Sequence, residues 1–176
     1  MIKPLEKRGG NVVSAILRDK DIKSINLWIS KMKQYKTKDP DWMTKAAVKI
    51  LKLDYKLIGY GYERVTYDLQ NGYVLKVATS ELGLKSNKNE CIIYKYCHAK
   101  LKEHLCPIKE VGNGWIIMKK MTIPVPRTED YDNQLKYLKK RFRQYGVRPK
   151  DLVRPNLALT KKGKIVFIDY GDFTLK

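Results

Sequence analysis

The chain has 176 residues, 43% of them apolar, and 37 Lys and Arg against 18 Asp and Glu give a net charge of +19. That is about one domain's length with enough apolar content for a core, which excludes disorder as the default. No apolar run approaches the roughly 18 residues of a membrane span, and no apolar signal core follows the basic N-terminus, so a soluble, cytoplasmic protein without a membrane partner is expected.

The first ~50 residues read as helical by periodicity. Ile22, Ile25, Ile29 and Met32 form one apolar stripe at i, i+3, i+7 and i+10. Asp39-Pro40-Asp41 breaks it, and Asp41 caps a second helix through Ile50, with Ala46, Ala47, Ile50 and Leu51 on its buried side. Such stripes form core more often than partner surfaces. The character changes at Tyr55. Segments 55–59 and 65–69 read as strands, Asn71-Gly72 is a hairpin turn, and 73–78 is the returning strand. A helix is predicted over about 87–102, and strands 108–111 and 115–119 flank a turn at Asn113-Gly114. Ile123-Pro124-Val125-Pro126 is a stiff extended linker and a subdomain boundary. A basic helix at 135–145 carries Leu135, Leu138 and Phe142 on one side, and two short strands, 157–159 and 165–168, end the chain. The order is mixed α+β, not an alternating β-α wind.

The basic residues cluster locally at 31–38 and 136–143. Such an excess draws nucleotides, nucleic acids and anionic head groups, and a solvated lysine-rich surface explains it equally. Cys91, Cys97 and Cys106 are an odd number in mid-chain, which is no disulfide framework and suits a reducing compartment. Cys97, His98, His104 and Cys106 match no usual zinc spacing, so buried Cys and solvated His are expected.

Three segments carry chemistry. Gly59-Tyr60-Gly61 lies between two predicted strands, where glycines let a backbone approach a phosphate. Alone, that pattern is better explained as an ordinary hairpin, and no helix follows it, so a dinucleotide-binding Rossmann turn fails on context. Lys76 shares a strand face with Val74 and Ala78, and a buried ammonium there needs an anionic partner. Glu90 on the next helix is one candidate, a bound phosphate another, and a surface lysine on an edge strand is the plainer alternative. Finally, Asp151 is followed five positions later by Asn156, then by a short ribbon and Asp169-Tyr170-Gly171. Two carboxylates and one carboxamide on loops suit Mg²⁺, and an Asp beside a substrate hydroxyl can take its proton.

Together and in this order, Gly59 through Gly171, these segments resemble the protein-kinase-like superfamily: Gly-rich loop, strand lysine, helix glutamate, catalytic-loop Asp and Asn, metal-binding Asp. The resemblance covers about two-thirds of the chain. It implies an α+β fold, with extra N-terminal helices at 1–52, a kinase-like N-lobe at 53–121 and a minimal C-lobe at 122–176. That N-lobe would hold a five-stranded antiparallel sheet and one key helix. It also implies that Gly59 and Gly61 cover nucleotide phosphates and that Lys76 contacts them, oriented by Glu90. Met118 to Met121 would face the adenine, Asp151 would be the catalytic base, and Asn156 and Asp169 would hold Mg²⁺. The implied cofactors are ATP and Mg²⁺, and the acceptor a protein or another hydroxyl-bearing molecule.

The sequence departs from the family pattern in several places. Glu63 and Arg64 stand near the third glycine's place, Pro149-Lys150 replaces His-Arg before Asp151, and Tyr170 replaces the usual Phe. Only five residues follow Gly171, which reads as a truncated, atypical form without an activation segment, its missing helices replaced by the N-terminal pair. The Lys- and Ile-rich composition suits a bacterial or phage protein. Two function classes follow: a miniature phosphotransferase, or a pseudokinase-like binding module with a protein or nucleic-acid partner.

Overall fold

The chain opens on a hairpin, not a helix: β1 (Glu6–Arg8) and β2 (Asn11–Val13) pair antiparallel. β-branched Val12 and Val13, next to a Gly-Gly sequence, override the helical expectation for the first residues. The structure, a computed structural model, describes residues 6–8, 11–35 and 39–176. Residues 36–38 of the first basic cluster and residues 1–5 of the basic N-terminus lie outside the described residues.

The first stripe forms helix α1 (Asp19–Met32), which buries Ile22, Ile25, Ile29 and Met32 together with Trp28. Asp21 closes its first turn by accepting the Arg18 N–H at 3.2 Å and the Arg18 Nε–H at 2.8 Å, a carboxylate at the positive helix end. Helix α2 (Pro40–Leu51) is capped by Asp39 rather than Asp41: the Asp39 carboxylate accepts the N–H groups of Asp41 and Trp42. Pro40 fits the first helical position because its missing N–H would have had no partner there.

Five strands form one antiparallel sheet: β3 (Lys56–Tyr60), β4 (Arg64–Asp68), β5 (Tyr73–Ala78), β6 (Ile108–Gly112) and β7 (Trp115–Lys119), in the order β3-β4-β5-β7-β6. Period-2 alternation sends Val65, Tyr67, Leu75, Val77, Trp115 and Ile117 to the face that α1 and α2 cover. Each large side chain fully buried there contributes about 1.5–3 kcal/mol. The Trp28 indole N–H donates to the Ala78 carbonyl at 2.8 Å, fixing α1 on β5. Gly114 turns β6 into β7 at φ +77°, and a Cβ there would stand 2.3 Å from Ile29, so helix and turn meet closely. Within the first unit the N-terminal helices thus cover one face of this sheet, burying Ala47 and Leu51 of the second stripe and leaving Ala46 and Ile50 half-buried.

Helix α3 (Glu81–Tyr96) begins six residues before the predicted start, where the Ser80 hydroxyl accepts the Gly83 N–H at 3.2 Å. It stops at Tyr96, and a separate 3-10 segment, Ala99–His104, carries the rest of the predicted helix. Contacts divide the chain into two compact units. One comprises residues up to Asn87 with Ile108–Lys120, the other Lys88–Pro107 with Met121–Lys176. The division therefore runs through α3 and falls just ahead of the Pro-rich linker. That linker belongs to the second unit, because the Leu159 N–H donates to the Ile123 carbonyl at 2.8 Å.

The second unit is built on helix α4 (Glu129–Gln144) and four short strands: β8 (Val147–Arg148), β9 (Leu157–Leu159), β10 (Ile165–Phe167) and β11 (Thr174–Leu175). β9 pairs with β10 and β8 with β11, both antiparallel. Helix α4 starts earlier than predicted, with Glu129, Asp130 and Asp132 at its positive end, and it buries Leu138 and Phe142. Phe142, Phe167 and Phe173 meet edge-on with centroids 5.1–6.0 Å apart, which anchors the segment after Gly171 in the core. Among the described residues, no helix is long and apolar enough to cross a membrane.

Candidate functional site

In the first unit the predicted phosphate loop joins β3 to β4. A Cβ added at Gly59 meets only Thr66 at 3.8 Å, and one at Gly61 meets nothing within 4 Å. Neither glycine is among those with positive φ. The fold itself therefore tolerates side chains at both positions, and their absence leaves bare backbone on either side of the exposed Tyr60. The charged residues near the third glycine's place turn elsewhere. Glu63 accepts from the Ser86 hydroxyl on α3, and its carbonyl accepts the Thr79 N–H at 2.7 Å. Arg64 is buried and donates to the Asn87 side chain at 3.2 Å.

Lys76 lies mid-strand in β5, only 7% exposed, in register with Thr66 on β4 and Ile116 on β7. Alternation puts it on the face opposite Leu75 and Val77, which belong to the α1–α2 core. It is no edge-strand lysine. Met118 in β7 is fully buried, while Met121 is half-buried and opens the second unit. Between them Lys120 is fastened to the β4–β5 hairpin: its N–H donates to the Gly72 carbonyl at 2.8 Å and its ammonium pairs with Asp68 at 2.6 Å. That ammonium, with the Gln70 N–H, holds the Asp68 carboxyl below the usual carboxylate range.

The second unit holds the remaining residues. Asp151 is exposed and has φ +48°, a left-handed conformation that costs a non-glycine residue on the order of 1–2 kcal/mol. Asn156 stabilises it by donating from Nδ2 to both the Asp151 carbonyl (3.0 Å) and Oδ2 (2.7 Å). Those bonds orient the amide and leave Oδ1 as the atom that could ligate a cation. The Ile168 N–H donates to the Asn156 carbonyl at 2.9 Å, so the loop ending at Asn156 and the loop carrying Asp169 run side by side at one end of the β9–β10 ribbon. An amide oxygen and carboxylates there fit a hard cation such as Mg²⁺, which takes one or two protein carboxylates and completes its shell from phosphate and water.

Glu90 is fully buried on α3, and its Oε1 accepts the Tyr170 N–H at 3.1 Å. The Tyr170 hydroxyl donates to the Cys106 carbonyl at 2.8 Å, and burial, then the Glu90 charge, push its pKa well above the usual tyrosine range. Burial and Glu90 also raise the Cys91 thiol to about 12, so it stays protonated. Asn89, which the sequence reading passed over, donates from Nδ2 to the carbonyls of both Gly171 and Phe173. Its signal was available: Ser86-Asn87-Lys88-Asn89 is a run of mostly poor helix formers inside a helix, a mark of tertiary duty. The Cys/His segment has structural partners instead. His104 Nδ1 bonds the Ile165 carbonyl at 2.8 Å, His98 stacks on Tyr145, and Cys97 and Cys106 are buried cysteines outside any disulfide among the described residues. No group of three or more His, Cys, Asp or Glu able to hold a metal occurs among the described residues.

No family model and no curated protein matches this chain. Solved structures do. The chain is similar to the crystal structure of WbdD, a bifunctional kinase–methyltransferase, with a TM-score of 0.52 and 14% identity over 69% of its own length. It is also similar to the ROP18 kinase domain, solved with AMP-PNP and sucrose, with a TM-score of 0.51 and 13% identity over 90% of its length. The fold is kinase-like. The five-stranded antiparallel sheet beside α3 is that fold's N-lobe arrangement, as the resemblance implied. The chain spans only 33% of the WbdD chain and 67% of the ROP18 domain, and at such identity the likeness speaks for the fold alone.

Proposed function

We propose that this kinase-like chain binds Mg·ATP and transfers the γ-phosphoryl group to a hydroxyl of a protein or another acceptor. The observation that carries the reading is the Asp151–Asn156 pair. An exposed aspartate is kept in a strained left-handed conformation by the amide of Asn156, whose backbone carbonyl accepts the N–H of Ile168, the residue before Asp169. Strain of this kind is retained where it serves a site. That the ROP18 domain was solved with AMP-PNP supports a nucleotide as ligand.

In this reading the bare backbone at Gly59 and Gly61 and the ammonium of Lys76 receive phosphate oxygens. Asn156 and Asp169 hold Mg²⁺, which would neutralise charge on the transferred group. Asp151 accepts the proton of the acceptor hydroxyl as its oxygen bonds to the γ-phosphorus and the bond to the ADP oxygen breaks. Positioning and charge stabilisation supply the rate, so the rigidity of the loops is central.

Thermal shift with Mg·ATP tests the binding half, because a ligand selective for the folded state raises Tm. We expect a rise in wild type and Asp151→Asn, and a loss of it in Lys76→Ala and Asp169→Ala. Labelled ATP tests transfer: wild type passes label to an added or internal acceptor, while Asp151→Asn, which keeps an acceptor for the Asn156 amide, does not. No shift at millimolar Mg·ATP rejects the nucleotide reading. Binding that persists with equal label in all four proteins rejects the catalytic assignment and leaves a pseudokinase-like module.

A further inference from the structure

In the first unit, α1 and α2 bury one stripe each on the sheet and leave a second stripe uncovered. A groove of about 820 Å³ runs between these second stripes, lined from α1 at positions 24, 27 and 31 and from α2 at positions 42, 45, 46, 49 and 50. Both sets follow the i, i+3, i+7 spacing of a helix face, roughly 10 Å or two turns long.

The lining is apolar at the floor and basic at the edge. Ala46, Ile50 and Tyr35 are half-buried, and beside them Leu27 and Trp42 remain 51% and 44% exposed. The Trp42 ring is edge-on to Tyr35 at 4.8 Å, and the Tyr35 ring lies 6.1 Å from that of the fully buried Trp28, which links the floor to the core. Lys31, Lys45, Lys49 and Lys52 are exposed around it, and no Asp or Glu is among the described residues that line it.

We propose that this groove docks an acidic amphipathic helix of a partner protein. Such a helix sets apolar side chains at i, i+3, i+4 and i+7 on Leu27, Trp42 and Ile50, and its flanking Asp and Glu face the four lysines. Three other occupants fit less well. A second copy of this chain brings its own share of a +19 charge. A bilayer surface is met by apolar residues that protrude, not by a recessed floor behind a rim of lysines. Nucleic acid needs free aromatic faces or base-reading groups, whereas this floor is largely aliphatic and its exposed ring is packed on Tyr35. The inference does not depend on nucleotide binding.

The test uses the full chain and two fluorescent helical peptides of the same Glu content, one with Leu at i, i+3, i+4 and i+7, the other with Ser at those positions. Fluorescence anisotropy should show the Leu peptide binding at least about tenfold tighter. Trp42→Ala should remove most of that preference, and Lys45→Glu with Lys49→Glu should weaken the Leu peptide by about tenfold or more. Lys136→Glu with Lys139→Glu on α4, a control for net charge, should change both peptides alike. The proposal is overturned if the two peptides bind equally, or if the preference survives both groove variants. It is also overturned if an RNA oligonucleotide or phosphatidylserine vesicles, and not the Leu peptide, lose binding on the groove substitutions. Equal binding of the two peptides to wild type overturns the proposal even if a variant folds poorly.

Discussion

Replacing Gly83 with alanine sets two opposed effects against each other. Gly83 is the third residue of α3, and alanine is better than glycine in a helix by up to about 1 kcal/mol. A Cβ at this position, however, would stand 2.0 Å from the Glu63 carbonyl oxygen, 2.9 Å from its carbon and 3.2 Å from the Ala78 Cα. All three are backbone atoms, so no rotamer change relieves the contact. The same carbonyl accepts the Thr79 N–H at 2.7 Å, and a retreat of an ångström or more breaks that bond. Overpacking of this kind costs about 1–3 kcal/mol and the lost hydrogen bond about 0.5–1.5 kcal/mol. Together these exceed the propensity gain, leaving a net loss of roughly 1–3 kcal/mol. In a chain of this length each kcal/mol moves Tm by roughly 2–4 °C, so a circular-dichroism melt should fall by about 5 °C. A Tm equal to or above wild type refutes the reasoning, since it would mean that the Glu63 backbone yields freely. Because Glu63 closes the loop that begins at Gly59, the variant should also show a smaller Mg·ATP shift if that loop receives phosphate.

Two further outcomes are expected. Asn89→Ala removes both donors to Gly171 and Phe173 and leaves two carbonyls without that partner, so denaturant unfolding should lose about 1–3 kcal/mol; an unchanged midpoint would show that Phe173 packing and the β8–β11 pairing hold the segment after Gly171 without Asn89. At Asp21, burial raises the carboxyl, but bonds from Arg18 and the Tyr55 hydroxyl outweigh it and hold the folded pKa below the ordinary value. Its stabilising contribution is therefore present above about pH 4 and lost as pH falls through the folded pKa. The stability gap between wild type and Asp21→Asn should shrink from pH 6 to pH 3, and a gap that widens would reverse the assignment.

What could be read from the sequence depended on how local the cause was. β5 and β7 follow from alternation and from turn residues at Asn71-Gly72 and Asn113-Gly114, and their predicted bounds agree with the structure. The starts of α3 and α4 were placed six residues late. In α3 the early half, with Gly83 and Ser86-Asn87, looks unlike a helix because those residues serve tertiary contacts: Gly83 admits the Glu63 backbone, and the two polar side chains engage Glu63 and Arg64. In α4 the first turn is acidic with no apolar period, and the helix dipole rather than burial accounts for it. The β8–β11 pair was invisible, since two-residue strands carry no periodicity. Among candidate site residues, the inward face of Lys76 was legible from alternation. The left-handed backbone of Asp151 was not, because no glycine marks it.

The glutamate on α3 has, beside the role its motif implies, a bond that the sequence does not show. From the sequence, Glu90 reads as the partner of a strand lysine. In the structure one of its oxygens accepts the N–H of Tyr170, the residue directly after Asp169, and Asn89 beside it on the helix accounts for the carbonyls of Gly171 and Phe173. Two adjacent residues of α3 thus fix the backbone that follows Asp169, while the bond from Ile168 to Asn156 fixes the backbone that precedes it. A carboxylate meant to hold a cation gains from this, since a ligand loop ordered in advance need not be ordered on binding. A scaffold that bound no ion would have little use for clamping the backbone on both sides of Asp169. These backbone bonds therefore suit the metal-binding part of the proposed function, which a nucleotide-binding module without transfer would share.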